Sequence, residues 1–174
     1  PVLVFGFTYM IWKYFYEPLK KSGHKLHLEH GFMIHGGGWK KLANEAVSAE
    51  QFRDGLREVC GILDVRNYYG MAEQTGCIYM ECECGHLHAS SYSDVLIRNM
   101  EDFSCCKNGT EGVIQVLTPM AWSYPGHSIL TEDKGMILGE DDCPCGRKGK
   151  YIRITGRIPK AEGRGCSDTF ETGR

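Results

Sequence analysis

Nine cysteines in a chain of 174 residues invite the first question, because their neighbours sort them by chemistry. The stretch "ECECGHLH" carries Cys82, Cys84, His86 and His88, and "DDCPCG" carries Cys143 and Cys145. Two short clusters of nitrogen and sulfur donors, distant in sequence, suit a tetrahedral zinc site, which needs four such ligands. The candidates outnumber the positions, and their Cys-x-Cys spacing is tighter than the usual zinc pattern. A site filled wholly by protein is structural rather than catalytic, and here it would tie a hairpin to a distant loop. Cys166 is a different case. It lies in "GRGCSD", with Arg157, Lys160 and Arg164 nearby in sequence. Thiolate is the nucleophilic form of cysteine, and cationic neighbours favour it. Gly163 and Gly165 loosen the backbone around it. Cys105 and Cys106 are adjacent, which rarely suits one metal, and they receive no role.

Two further constellations can hold a ligand. Gly36, Gly37 and Gly38 follow an apolar run, "FMIHGGG"; without Cβ atoms a backbone can approach a flat ligand or a phosphate closely. His35 borders this loop. In "YYGMAEQTG", Tyr69 can stack on a base, and Glu73 offers the oxygen ligands that Mg²⁺ prefers.

The elements that must position these residues read as α/β over 1–76 and as mainly antiparallel β over 77–160, with a tail at 161–174. "VLVFGF" has the continuous apolar character of a buried strand. The helix that follows has Thr8 as its N-cap and stops at Gly23. Ser48 and Gln51 form a capping box for a second helix with Phe52, Leu56, Val59 and Cys60 inside. Beyond 77, short β-type runs such as "EGVIQVLT", "HSILTED", "GMILGE" and "YIRITGR" are separated by turn residues. The near-neutral net charge of −2 argues against a nucleic-acid binder working through a basic surface. No run is long and apolar enough for a membrane span. The odd cysteine count and the lack of a secretion signal point to a reducing cytoplasm.

Taken together, "VLVFGFT", "HGGGWKK", "YYGMAEQTG", "SYPGHSILTEDKG", "DDCPCGRKGKYIRITGR" and "KAEGRGCSD" resemble, in family order, the C-terminal half of LuxE-type fatty-acyl-protein synthetases. These are relatives of the adenylate-forming enzymes, which include phenylacetate-CoA ligase. The resemblance implies a fragment of an adenylate-forming core: an α/β layer followed by a mainly antiparallel β subdomain. It implies an ATP/AMP site in which Gly36, Gly37 and Gly38 lie against adenine and Tyr69 stacks on it. Gly70, Met71 and Ala72 continue the motif, and Glu73 supports Mg²⁺. Asp133 binds the ribose hydroxyls, and Arg157 completes the ribose and phosphate contacts. Ala72 stands where most relatives carry a threonine that meets the α-phosphate. Among the soft ligands the resemblance selects Cys82, His88, Cys143 and Cys145 for structural Zn²⁺, with Cys84 as the alternative to His88.

The same resemblance gives Cys166 its purpose, as the acceptor of an acyl group that is then passed to a partner fatty acid reductase. The serine/threonine/glycine-rich phosphate loop of the family is missing upstream of the glycine triplet. The chain is therefore expected to be the C-terminal portion of a ligase whose N-terminal half completes the site, and to be inactive alone. Two rivals predict different behaviour. A CoA-ligase-like enzyme would not acylate Cys166, and a non-catalytic zinc-bearing interaction module would bind metal but no nucleotide.

Overall fold

The computed structural model describes residues 1–39, 44–74 and 76–158. Lys160, Gly163, Arg164, Cys166 and the whole of the expected tail at 161–174 lie outside them. The contacts divide the chain into two units, Pro1–Tyr68 and Tyr69 onward.

The first unit is a parallel α/β layer. Strands β1 (Leu3–Phe7), β2 (Phe32–Gly36) and β3 (Asp64–Tyr69) lie in that order, with Leu3 opposite Phe32 and Phe32 opposite Asp64. Helical crossovers join them, as parallel neighbours require. The first crossover runs from Thr8 through a π-helical stretch, Ile11–Tyr16, to an α-helical end at Glu17–Ser22, where Gly23 stops it at φ 70°. The second is the helix Ala49–Cys60. Its Ser48 side chain accepts from the Gln51 backbone while the Gln51 side chain accepts from the Ser48 backbone, so the capping box forms as its sequence predicts. Phe52, Leu56, Val59 and Cys60 are buried with Ile11, Met33, Ile62 and Val65 in one core. Gly55 in that helix admits the ring of Tyr16, which would lie 2.9 Å from an added Cβ.

Two details depart from the sequence reading. Thr8 does not cap its helix. Phe7 occupies the cap position without a side-chain bond, and the Thr8 hydroxyl turns to β2 instead. The β1 strand is not buried either: Leu3 and Phe5 are 65% and 66% exposed. Among the described residues of its unit β1 is an edge strand, paired with β2.

The second unit is antiparallel. Strands β4 (Tyr79–Glu81), β5 (Leu87–His88), β6 (Asp94–Arg98), β7 (Gly112–Leu117), β8 (Ser128–Glu140) and β9 (Lys150–Arg157) are arranged β4-β5-β9-β8-β7-β6. The runs "HSILTED" and "GMILGE" are one strand, β8, rather than two. Its register against β9 shifts between Lys134 and Gly135 and again between Ile137 and Gly139. Such bulges let a long strand bend without ending. Tyr79, Val95, Ile97, Ile114, Val116 and Ile152 are fully buried at the centre. No described helix is long and apolar enough to cross a membrane.

Leu56 has no exposed surface, and Ser48 contributes only a cap. In urea unfolding, Leu56→Ala is expected to cost about 2–5 kcal/mol and Ser48→Ala about 1 kcal/mol. Equal losses would mean that the core assignment is wrong.

Candidate functional site

The glycine loop belongs to the first unit. Gly36 ends β2 opposite Tyr68 of β3, and a Cβ on Gly36 would sit 2.7 Å from the Tyr68 ring. Glycine there makes room for the protein's own tyrosine. Gly37 and Gly38 take φ values of 77° and 61°, a region that L side chains rarely adopt. The turn is pinned by Thr8, whose hydroxyl donates to the Gly36 carbonyl at 3.0 Å. That hydroxyl also lies 2.9 Å from His35 Nδ1. Its one proton is committed to Gly36, so His35 Nδ1 carries the hydrogen and donates to Thr8. The His35 ring packs on Phe52 at 4.6 Å. Burial, aided by the Arg53 charge, lowers its pKa to about 4.

The second unit brings Tyr69, Asp133 and Arg157 together. Asp133 on β8 is directly opposite Arg157 on β9, and Arg157 Nε lies 3.3 Å from Asp133 Oδ1. The Tyr69 hydroxyl donates to the other oxygen, Oδ2, at 2.8 Å. Burial, and next the Asp133 charge, push the Tyr69 pKa up, so the hydroxyl stays a donor. Arg157 also donates to Glu132 at 3.0 Å. The carboxylate is thus fixed in direction and retains lone pairs for a hydroxyl ligand.

Met71 packs against the unit's core, whereas Gly70, Ala72 and Glu73 are exposed. Gln74, only 1% exposed, clamps this loop. Its Nε2 donates to the carbonyls of Val116 and Gly126 at 3.1 and 2.8 Å. The sequence reading missed Gln74. One glutamine in a polar loop has no periodicity to betray its burial.

The soft ligands also converge within the second unit. One ligand atom from each of Cys82, His88, Cys143 and Cys145 lies within 4.8 Å of all the others. Cys82 Sγ and Cys143 Sγ are 4.0 Å apart, and Cys145 Sγ is 3.4 Å from His88 Nε2. A tetrahedron with standard zinc bonds has edges of about 3.8 Å between sulfurs and about 3.6 Å from sulfur to nitrogen. Matching turns present the cysteines: Gly85 N–H donates to the Cys82 carbonyl and Gly146 N–H to the Cys143 carbonyl, each at 2.9 Å. Cys84 is exposed and outside the group, so the geometry favours His88 over it. Burial, and then the Arg147 charge, lower the His88 pKa and favour neutral imidazole, the ligating form. Burial pushes the Cys143 thiol up to about 12. Three clustered sulfurs can all ionise only if a cation joins them.

Known proteins share both sequence and fold with this chain. The profile of the family "Acyl-protein synthetase, LuxE" matches residues 1–173. A long-chain-fatty-acid–luciferin-component ligase from Vibrio harveyi is 23% identical over 142 residues, covering 78% of this chain and 35% of the relative. The chain thus spans about a third of that curated relative's length. A 2-hydroxyisobutyryl-CoA ligase solved with 2-HIB-AMP and CoA superposes with a TM-score of 0.69 at 18% identity, over 92% of this chain and 37% of that one. A long-chain-fatty-acid-CoA ligase from Archaeoglobus fulgidus gives 0.62 at 14% identity, over 91% and 34%. The fold is that of the adenylate-forming ligases.

The depressed His35 pKa makes a signed prediction. Unfolding restores an ordinary value near 6.5, so between about 6.5 and 4 the unfolded chain binds the extra proton. Stability is therefore full above that window and lost as pH falls through it. His35→Phe keeps a ring against Phe52 and removes this loss. Urea midpoints at pH 7.5 and pH 5 should differ less in the variant than in the parent, and identical differences would exclude the mechanism.

Proposed function

The chain belongs to the LuxE family of acyl-protein synthetases, and on that premise we propose that it carries the ribose-binding part of an ATP-dependent long-chain fatty acid–protein ligase. The observation that carries this reading is the Tyr69–Asp133–Arg157 cluster, three residues from three strands sharing one carboxylate. In the proposed reaction a fatty acid carboxylate attacks the α-phosphate of ATP and pyrophosphate leaves. Asp133 accepts from the ribose hydroxyls, held in aim by Tyr69. Arg157 faces the charge that develops on the phosphate. The glycine loop at Gly36, Gly37 and Gly38 offers adenine a surface without side chains. Glu73 is exposed and supplies oxygens for Mg²⁺, which when bound would neutralise phosphate charge. Gly70, Met71 and Ala72 set the backbone leading to Glu73.

The second step belongs to Cys166. Its thiolate attacks the acyl-AMP carbonyl, a carbon–sulfur bond forms, and AMP departs. The thioester remains activated and passes to a fatty acid reductase partner. The remaining two-thirds of a relative's length leaves room for the phosphate loop and the acyl pocket, so the proposal assigns those parts to the rest of the polypeptide and no activity to this chain alone. Cys82, His88, Cys143 and Cys145 hold a structural Zn²⁺, and a cytoplasmic setting suits the eight free cysteines among the described residues.

Four variants of the full-length protein test this reading. Asp133→Asn should raise KM for ATP roughly 10- to 100-fold, the worth of a charged hydrogen bond; an unchanged KM would remove Asp133 from the site. Cys166→Ser should still release pyrophosphate yet carry no acyl group by intact mass, and an acylated Cys166→Ser protein would exclude Cys166 as acceptor. Metal analysis should find one zinc per chain, lost in Cys143→Ser and kept in Cys84→Ser; retention in both, or absence from the parent, would contradict the ligand set.

A further inference from the structure

His86 stands beside the metal group without belonging to it. Its Nδ1 lies 3.2 Å from Cys143 Sγ. The ring stacks on Tyr151 with centroids 4.9 Å apart at 23°, and His88 stacks on the same tyrosine at 5.4 Å and 26°. Tyr151 is directly opposite His88 in the β5–β9 ladder, so one aromatic ring orients both imidazoles. The four-member group is complete without His86, which leaves its contact with Cys143 to be explained.

A thiolate ligand has lone pairs and no hydrogen. When Cys143 ligates a metal, a nitrogen 3.2 Å away can bond to it only by donating, so the hydrogen must be on His86 Nδ1. The demand for such a donor follows from charge. Three thiolates around Zn²⁺ leave an excess negative charge in a largely buried site, and N–H donors spread that charge outward. Cys145 has one already, the Arg147 backbone N–H at 3.4 Å. His86 supplies the corresponding bond to Cys143, which is 5% exposed.

Resting on the metal centre proposed above, we infer that His86 is a positioning residue whose Nδ1–H holds the Cys143 thiolate in place and slows metal release. It is not itself a ligand. Sequence spacing gives no hint of this division, since His86 and His88 are two residues apart and chemically alike.

The test uses zinc-loaded full-length protein and a chromogenic chelator. His86→Phe keeps a ring for Tyr151 and removes the donor. His86→Asn puts an amide N–H close to the position of Nδ1. Both variants should keep one zinc, with release roughly 10- to 100-fold faster in His86→Phe and near the parent rate in His86→Asn. With cobalt in place of zinc, His86→Phe should move the sulfur-to-metal charge-transfer band to longer wavelength, because a thiolate relieved of its hydrogen bond gives up electron density more easily. Unchanged release and spectrum in His86→Phe would overturn the inference, as would failure of His86→Asn to restore either. Loss of zinc from His86→Phe at saturating metal would also overturn it, by making His86 a ligand. A parent protein that binds no zinc would be a different failure, that of the metal centre itself.

Discussion

The ladder between β8 and β9 holds Asp133 opposite Arg157 at one end and Glu140 opposite Lys150 at the other. The loop that closes this pair, beyond Glu140, carries Cys143 and Cys145. One run of backbone hydrogen bonds therefore governs both chemical features of the second unit. Strand side chains alternate between faces, so a slip of one residue would move Asp133 away from both Tyr69 and Arg157. The two register shifts on β8 make the correct alignment specific. At Gly135 a side chain would collide with the Arg153 carbonyl, so this part of the ladder accepts only glycine without moving.

The metal group can be understood as a lock on the same ladder. Cys143 and Cys145 come from the closing loop, Cys82 follows β4, and His88 lies on β5, which pairs with β9. A shared ion would join the loop end of the hairpin to its neighbouring strands. Small β units often lack enough core to define their loop ends by packing alone, and here Cys82, Cys143 and Tyr151 form a separate buried cluster of their own. The two Cys-x-Cys-Gly turns are alike in backbone, yet only the second contributes both of its thiols. The first gives one thiol, and the imidazole of His88 replaces the other.

Local chemistry was legible in the sequence where the cause was local. The capping box at Ser48 and Gln51, the stop at Gly23 and the buried face of the second helix depend on near neighbours, and each forms as read. The cysteine clusters could be recognised because soft ligands are scarce and were grouped. What escaped depended on distant partners. Thr8 has the composition of a cap, but β2 offers its hydroxyl a carbonyl and an imidazole. The close approach of Tyr68 to Gly36 likewise could not be read from Gly36's own neighbours in sequence. The two halves of β8 read as separate strands because the bulge at Lys134–Gly135 resembles a turn in sequence. Gln74 and His86 draw their roles wholly from backbone and sulfur atoms many residues away. Cys166 lies outside the described residues, and the role proposed for it rests on the family motif.

The β1 edge has a practical bearing on handling this polypeptide. Leu3 and Phe5 are apolar and open, and among the described residues of the first unit β1 pairs with a strand on one side, β2. An unguarded, greasy strand border is a template on which further copies can zip, sheet to sheet. A preparation limited to these residues would face precipitation as its dominant hazard, and solubility would be gained by supplying a border strand or a charged side chain there rather than by strengthening the interior.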